Sequence, residues 1–308
     1  MVLAVRRALF THFEILDIFE KGENIRMKHL ICNNFRILAI ILPLVLLGSE
    51  MLRAQVTVAP AMLFIDSKSG IGNMYLTNNS ATPQEVTINF AFGYPDADSL
   101  GNATMNYSDS VSAKTYSLNP IIRAYPRSFL LNPKQEQTVR LQVRPPASVK
   151  DAFFFTRVKV TSAAKTPDVD KRVTDAVSTQ INFKFDQVFP VFYRKGSVST
   201  GLLVHKVSTE SKDNKLTVVV DIERTGNAPY IGSMKAELYS LANQKVALSE
   251  ATASIYFRVK DKIELDLSKV AKGKHKLLLT FDTKRSDVAV EDLLQADQVK
   301  KEVIVDLP

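Results

Sequence analysis

Apolar and polar residues alternate along most of the chain after residue 54, and a period of two is typical of β-strands. Residues 85–92 and 137–143 show the alternation most clearly. Turn-forming residues separate such runs, as in the Asn-Asn-Ser-Ala-Thr-Pro stretch at 78–83. Between residues 55 and 195 the pattern predicts about seven short strands, which is typical of an antiparallel sandwich.

A second set of strands is predicted beyond the Lys-Gly-Ser linker at 195–197. The polar span 93–119, by contrast, is expected to be a long loop with a short edge strand. We therefore predict an all-β chain with two domains, residues 55–195 and 196–308. The strands expected in the second domain are 203–207, 216–222, 233–239, 252–259, 262–267, 275–281 and 300–305, with one or two helical turns in 288–295.

The most informative run is residues 181–186, in which Ile181, Phe183 and Phe185 alternate with polar residues. Because side chains of a strand point alternately to its two faces, the three large apolar groups share one face. Such a strand either lines a core or offers a row of apolar side chains to another chain. The sequence pattern by itself leaves both readings open.

The N-terminal region is predicted to be a leader rather than part of the fold. Residues 37–47 form an almost unbroken apolar run, with basic residues before it and the small residue Ala54 after it. This is the layout of a secretory signal peptide, and the run is too short to span a bilayer comfortably. We predict a leader over residues 1–54 whose natural start is Met27, with an uncleaved membrane anchor as the alternative.

Composition narrows the remaining possibilities. The 308 residues are 45% hydrophobic and 23% charged, which is typical of a globular protein. The net charge is +8, but the basic residues are scattered, so we predict a solvated surface and no nucleic-acid partner. The only cysteine, Cys32, lies in the predicted leader, which leaves the exported chain without thiol chemistry.

No motif points to catalysis or to a metal. His205 and His275 stand in strand-like runs without the spacing of metal ligands, and we expect both at the surface or at an edge. No nucleophile elbow or phosphate-binding glycine loop is present. We predict that the protein is not an enzyme and uses no cofactor or metal. The Phe-Phe-Phe run at 153–155 is expected to line a core with one exposed ring.

Three segments of the first domain resemble the PapD-like periplasmic chaperones of pilus assembly. Residues 126–141 are similar to that family's apolar strand, proline turn and Gln-x-Val-Arg-Leu strand, and residues 152–158 to its aromatic strand. Residues 189–194 are similar to the apolar close of its last strand and are the most specific match. The resemblance covers residues 55 to about 195, whereas the second domain agrees only in size and in β character.

The resemblance implies two immunoglobulin-like β-sandwich domains in a boomerang arrangement and a role in the periplasm. It also implies binding of pilin-like or surface-appendage subunits by donor-strand complementation, in which the chaperone adds an edge strand to a subunit that lacks one. In this sequence the donated side chains would be those of Ile181, Phe183 and Phe185. Further expected partners are an outer-membrane assembly protein and a second copy that caps the exposed edge.

The sequence departs from the family at the basic residues that usually anchor the subunit's terminal carboxylate. The matching positions hold Ala61 and Pro190, and we expect strand pairing to stop or bulge at the proline because it lacks a backbone donor. Arg194, Lys184 and Arg127 are the candidates to replace the anchor, although a structural ion pair is the favoured role for Arg194. The missing anchors favour the alternative function, a structural or adhesive envelope sandwich without chaperone activity.

Overall fold

The computed structural model describes residues 56–146, 148, 150–165 and 183–308. These residues form two β-sandwiches, which confirms the prediction of an all-β, immunoglobulin-like chain. The predicted leader and Ile181 lie outside the described residues, and the predicted limits of the two domains stay a prediction. The strands of the first sandwich and its attached hairpin are β1 Val56–Ala59, β2 Leu63–Ile65, β3 Ile71–Asn78, β4 Gln84–Ala91, β5 Tyr94–Ala97, β6 Ala103–Asn106, β7 Ile122–Tyr125, β8 Ser128–Leu131, β9 Glu136–Val143, β10 Ala152–Ala164 and β11 Lys184–Lys195.

Two sheets build the first sandwich, in the orders β1-β3-β9-β7 and β2-β11-β10-β4-β8. The alternation seen in the sequence sends one face of each sheet inward, as in β9, where Val139, Leu141 and Val143 are buried between polar neighbours. Neighbouring strands are antiparallel except β11 and β2, which are parallel. The core therefore lies between the two sheets, and burial of its aliphatic side chains is the main stabilising contribution.

The second sandwich pairs sheets in the orders β12-β13-β16 and β15-β14-β17-β18. Its core is again aliphatic, with Phe281 and Tyr230 fully buried. His275, expected at the surface, is instead buried, and its Nδ1 lies 3.0 Å from the Gly273 carbonyl oxygen. The strands are β12 Thr200–Lys212, β13 Lys215–Gly226, β14 Tyr230–Ser240, β15 Lys245–Ile255, β16 Arg258–Asp266, β17 Gly273–Asp282 and β18 Val299–Leu307, and the expected helical turn in 288–295 is a 3-10 turn, Val290–Asp292.

A third apolar cluster joins residues of the two sandwiches. Phe153 and Phe155 point to the outer face of their sheet, while Phe154 points into the first core. All three rings are buried, so the expectation of one exposed ring was wrong. The reason is that side chains of the second sandwich, including Ile231 and Tyr256, cover that outer face.

Two stretches fold differently from the sequence prediction. The span 93–119 is not a plain loop, because it contains the hairpin β5–β6 and a helix, α1, Ser110–Tyr116, which Asp109 caps by accepting from Val111 N and Ser112 N. The predicted strand 252–259 is interrupted, because Tyr256 and Phe257 leave the sheet between β15 and β16 and pack in the cluster between the sandwiches.

Asn78 closes one corner of the first sandwich. It is fully buried, and its amide group donates to the carbonyl oxygens of Thr82 and Leu131 at 2.9 Å each. Its own oxygen accepts from the backbone N–H of Ser80 at 2.9 Å. The side chain therefore replaces the backbone partners that the chain lacks where it turns from β3 to β4.

Asn78→Ala is expected to lower the free energy of unfolding by about 1–3 kcal/mol, because it leaves buried carbonyl groups without a donor. Urea denaturation of the two proteins measures this difference. Asn79→Ala is the matched control, since the Asn79 amide makes only a surface bond to Thr57 Oγ1 at 3.2 Å. Equal losses in the two variants would contradict the role given to Asn78.

Candidate functional site

The first half of β11 is an open sheet edge. On one side β11 pairs with β10 along its whole length, but on the other side β2 covers only Val191, Phe192 and Tyr193. Among the described residues, Lys184–Pro190 has no strand partner on that second side. Because alternate residues of a strand direct their N–H and C=O groups to opposite sides, this edge presents unpaired backbone donors and acceptors.

Two exposed phenylalanines stand at the start of this edge. Phe183 and Phe185 are 64% and 45% exposed, and their ring centroids are 6.4 Å apart. They share a face of the strand with Phe189 and Val191, which pack in the first core. This face therefore begins with uncovered rings and continues into the sandwich, so the strand lines a core at one end and offers apolar side chains at the other.

Side-chain hydrogen bonds hold the open half of β11 in place. On the outer face, Asp186 accepts from Lys159 Nζ at 2.8 Å and from Thr161 Oγ1 at 2.6 Å. On the other face, Gln187 Nε2 donates to the Val56 carbonyl oxygen at 2.8 Å and so links β11 to β1 of the opposite sheet. The exposed edge is thus a fixed strand with a defined register, Ser162 facing Phe185.

The hydrogen bonds from Lys159 and Thr161 lower the pKa of the Asp186 carboxyl below its ordinary value. A carboxyl whose pKa is lower in the folded protein stabilises it above the unfolded pKa, and this contribution disappears as the pH falls through the folded pKa. Asp186→Asn is therefore expected to speed amide exchange in the open half of β11 at pH 7. The difference from the parent should be small at this exposed site, and it should vanish in acid, once the pH falls below the lowered pKa of Asp186.

Hydrogen-exchange mass spectrometry of the parent and the variant at each pH measures this effect. Val188→Thr is the control, because Val188 is also exposed on the outer face of β11 but makes none of these bonds. Faster exchange in the control, or a difference that persists in acid, would argue against the carboxylate as the cause.

Pro190 does not interrupt the sheet. The pairing of β10 with β11 runs without a register shift from Ala152↔Lys195 to Ala163↔Lys184, with Arg157 facing Pro190. The expectation of a stop or bulge was therefore wrong. Proline is tolerated where its missing N–H falls on the unpaired side of a strand, and β11 has such a side up to this residue.

The cations proposed as replacement anchors do not form one group. Arg194 donates through Nη2 to the carbonyl oxygens of Glu291 and Asp292, beside the 3-10 turn. Arg127 is exposed and donates to Asn89 Oδ1 at 3.1 Å, and Lys184 is exposed at the first residue of β11. Ala61, the other position of the family anchor, is exposed between β1 and β2. Their roles in binding stay predictions.

A buried arginine escaped the sequence prediction. Arg157 is 7% exposed, its Nε donates to the Gly93 carbonyl oxygen at 3.1 Å, and its guanidinium lies 5.7 Å from the ring centre of Tyr256. No carboxylate of the described residues pairs with it. Strand alternation places Arg157 on the same face of β10 as Phe153 and Phe155. This alternation is the sequence signal from which its position among aromatic rings could have been predicted.

Other features of the described chain point to no chemistry. Within the ranges that the structure covers, no three His, Cys, Asp or Glu side chains come together as metal ligands, and no helix is long and apolar enough to cross a membrane. An open groove of about 470 Å³ lies on the outer face of β12, β13 and β16, and its lining is largely charged and hydroxylated. The open edge of β11 therefore remains the best candidate for a functional site.

Comparison with known proteins gives matches among solved structures only. No protein-family model matches the chain, and no curated protein does. The chain is similar to the YadV chaperone, with 11% identity, a TM-score of 0.40, and coverage of 82% of this chain and 100% of that one. It is also similar to a CsuC–CsuE complex of chaperone and tip adhesion subunit from Acinetobacter baumannii, with 13% identity, a TM-score of 0.40, and coverage of 81% and 98%.

A third match is the Salmonella enterica SafA pilin in complex with the SafB chaperone, with 11% identity, a TM-score of 0.38, and coverage of 80% of this chain and 96% of that one. The solved structures to which the chain is similar thus include chaperones, two of them in complex with a subunit.

Proposed function

We propose that this protein is an exported chaperone that holds pilus or surface-appendage subunits by donor-strand complementation. The observation that carries the proposal is the open edge of β11, with two exposed phenylalanines on one face. A subunit that lacks one strand would pair its backbone with this edge and place Phe183 and Phe185, with Ile181 before them, in its groove.

The exposure of these rings favours association with another chain. Large apolar groups clustered at an unpaired edge invite association, so proteins normally cover or charge such edges. Burial of each ring in a subunit groove would contribute roughly 1.5–3 kcal/mol, before the cost of association. The edge is fixed by Asp186 and Gln187 before a partner arrives, which lowers the ordering cost of binding.

Export to the periplasm belongs to the same proposal, because strand-deficient subunits of surface appendages need capture after secretion. The apolar run 37–47 and the small residue Ala54 support a leader that is removed. N-terminal sequencing of the exported protein is expected to start at Gln55. A protein that retains Met1 or Met27 would contradict the cleaved leader.

A second candidate is a structural or adhesive envelope sandwich without chaperone activity. It is favoured by the absence of a basic side chain at Ala61 and Pro190. The two functions differ in the role of the open edge. A chaperone uses it to bind a subunit that lacks one strand, whereas an adhesive protein does not need to bind such a subunit.

Co-expression with an immunoglobulin-like pilin subunit separates the two candidates. The probe is made in two forms, one without its final strand and one with a donor strand fused to its C-terminus. A chaperone of this kind is expected to form a soluble complex with the first form and not with the second. Binding of both forms alike, or of neither, would favour the adhesive alternative.

Two further partners are proposed. The same edge could also pair with a second copy of the chain, which predicts a dimer at high concentration. Addition of a strand-deficient subunit is expected to dissociate this dimer. An outer-membrane assembly protein would receive the loaded complex. Size-exclusion chromatography over a concentration series tests the first of these expectations.

A further inference from the structure

The segment 93–116 belongs to the first half of the chain but makes many of its contacts with the second sandwich. It contains the hairpin β5–β6 and helix α1, inserted between β4 and β7. The hairpin forms a sheet of its own and pairs with neither sheet of the first sandwich. Its position is therefore set by contacts of three parts, namely the base of the hairpin, its tip and the end of the helix.

The base of the hairpin packs on aromatic rings of the second sandwich. Tyr94 is 6% exposed, and its ring centroid lies 5.8 Å from that of Tyr256 and 4.9 Å from that of Phe257. Its hydroxyl donates to Asp109 Oδ2 at 2.7 Å. Because Asp109 also caps α1, the hairpin and the helix are fixed to each other.

The tip of the hairpin rests on the outer face of β13 and β16. Gly101 has a φ of +80°, and a Cβ atom added there would lie 3.1 Å from Lys262 Cβ and 3.4 Å from Val219 Cγ1. Lys262 Nζ donates to Asn102 Oδ1 at 2.9 Å, and Lys260 Nζ donates to the Ser99 carbonyl oxygen at 3.3 Å. The positive φ favours glycine at this position, and the close approach leaves little room for a side chain.

The end of the helix holds the third contact. Arg224 of β13 donates through Nη2 to the Tyr116 hydroxyl at 3.1 Å. Its guanidinium lies 5.3 Å from the ring centre of Tyr116 and 5.1 Å from that of Phe257, and because the two ring centroids are 5.7 Å apart, it contacts both rings at once. Tyr116 in turn stacks on Phe155 of the first sandwich at 6.0 Å.

We propose that segment 93–116 is a clamp that locks the two sandwiches into a single relative arrangement. Without it, the connection at 196–199, the rest of the apolar cluster and the Arg194 hydrogen bonds would join them. Relative motion is the default expectation for two domains of one chain that are linked in that way. The clamp grips the second sandwich at points on β13, on β16 and on the turn between β15 and β16. Because these contact points are well separated, they resist rotation of one sandwich relative to the other about any single axis.

Two variants of the full chain test the clamp. The first replaces residues 98–102 with an Asn-Gly turn, which keeps the hairpin but removes its tip. The second is Gly101→Val, in which the new side chain would crowd Lys262 and Val219. The control is Leu100→Ser, because Leu100 lies in the same tip but is 68% exposed. The distance between nitroxide labels at Thr138→Cys and Glu250→Cys, exposed sites on different sandwiches, is measured by pulsed electron resonance in a Cys32→Ser background.

The parent and the Leu100→Ser control are expected to give one narrow distance distribution. Both tip variants are expected to broaden it and to add a second population, while circular dichroism shows the same β content. A narrow, unshifted distribution in the folded tip-deleted variant would overturn the clamp, and equal broadening in the Leu100→Ser control would overturn it as well. If Gly101→Val does not fold, the tip-deleted variant alone decides between these outcomes.

Discussion

Replacing both Phe183 and Phe185 with aspartate is expected to abolish subunit capture while the protein stays folded. Both rings are more than 40% exposed, so the folded chain loses little when they are removed. In the complex, each lost ring would cost roughly 1.5–3 kcal/mol, which together weakens binding about 100-fold or more. The introduced carboxylates would also face an apolar groove, where an unpaired charge is strongly unfavourable.

Co-purification with the strand-deficient subunit measures this loss, and a thermal unfolding curve checks the fold. Leu130→Asp is a suitable control, because Leu130 is 41% exposed on β8, at the opposite edge of the same sheet. The control variant is expected to retain capture. Undiminished capture by the double variant, or an equal loss with Leu130→Asp, would refute the assignment of the binding edge.

Phe192→Ala is expected to lower the free energy of unfolding by about 3–5 kcal/mol, as is typical for a buried phenylalanine. Phe192 is 1% exposed on the outer face of β11, and its ring centroid lies 4.9 Å from that of Phe64 and 5.5 Å from that of Phe153. Tyr256 of the second sandwich is 6.3 Å away. The truncation therefore opens a cavity in the cluster that joins the sandwiches.

Chemical denaturation of the parent and the variant gives this difference. Phe185→Ala is the matched control on the same strand, since that ring is exposed and its removal should change stability by less than about 0.5 kcal/mol. A loss below about 1 kcal/mol for Phe192→Ala would show that the ring contributes far less than its burial implies.

The parts of the fold that follow from local periodicity could be predicted from the sequence. Strands such as β3 and β9 alternate cleanly, because one face meets a core and the other meets water. The same rule placed Phe183 and Phe185 on one face of the candidate edge. The aromatic run at 153–155 broke the rule, because the second sandwich covers the face that would otherwise be wet.

The remaining features depend on contacts between residues distant in sequence. The hairpin in 93–116 carries many polar residues, and Tyr94 and Gly101 find their partners well over 100 residues away in the chain. For the same reason, the sequence pattern does not reveal the turn at Tyr256 and Phe257, which lies within an apolar run. At Pro190, the outcome depended on which side of β11 stays unpaired, and local sequence does not reveal that side.

Hydrogen exchange of β11 in the presence of the strand-deficient subunit tests the central claim most directly. In the free protein, alternate amides of Lys184–Val188 face the open edge and should exchange rapidly. Bound subunit is expected to protect these amides, and the peptides of β8 should not change. A stable complex in which β11 exchanges as fast as in the free protein would contradict strand addition at this edge.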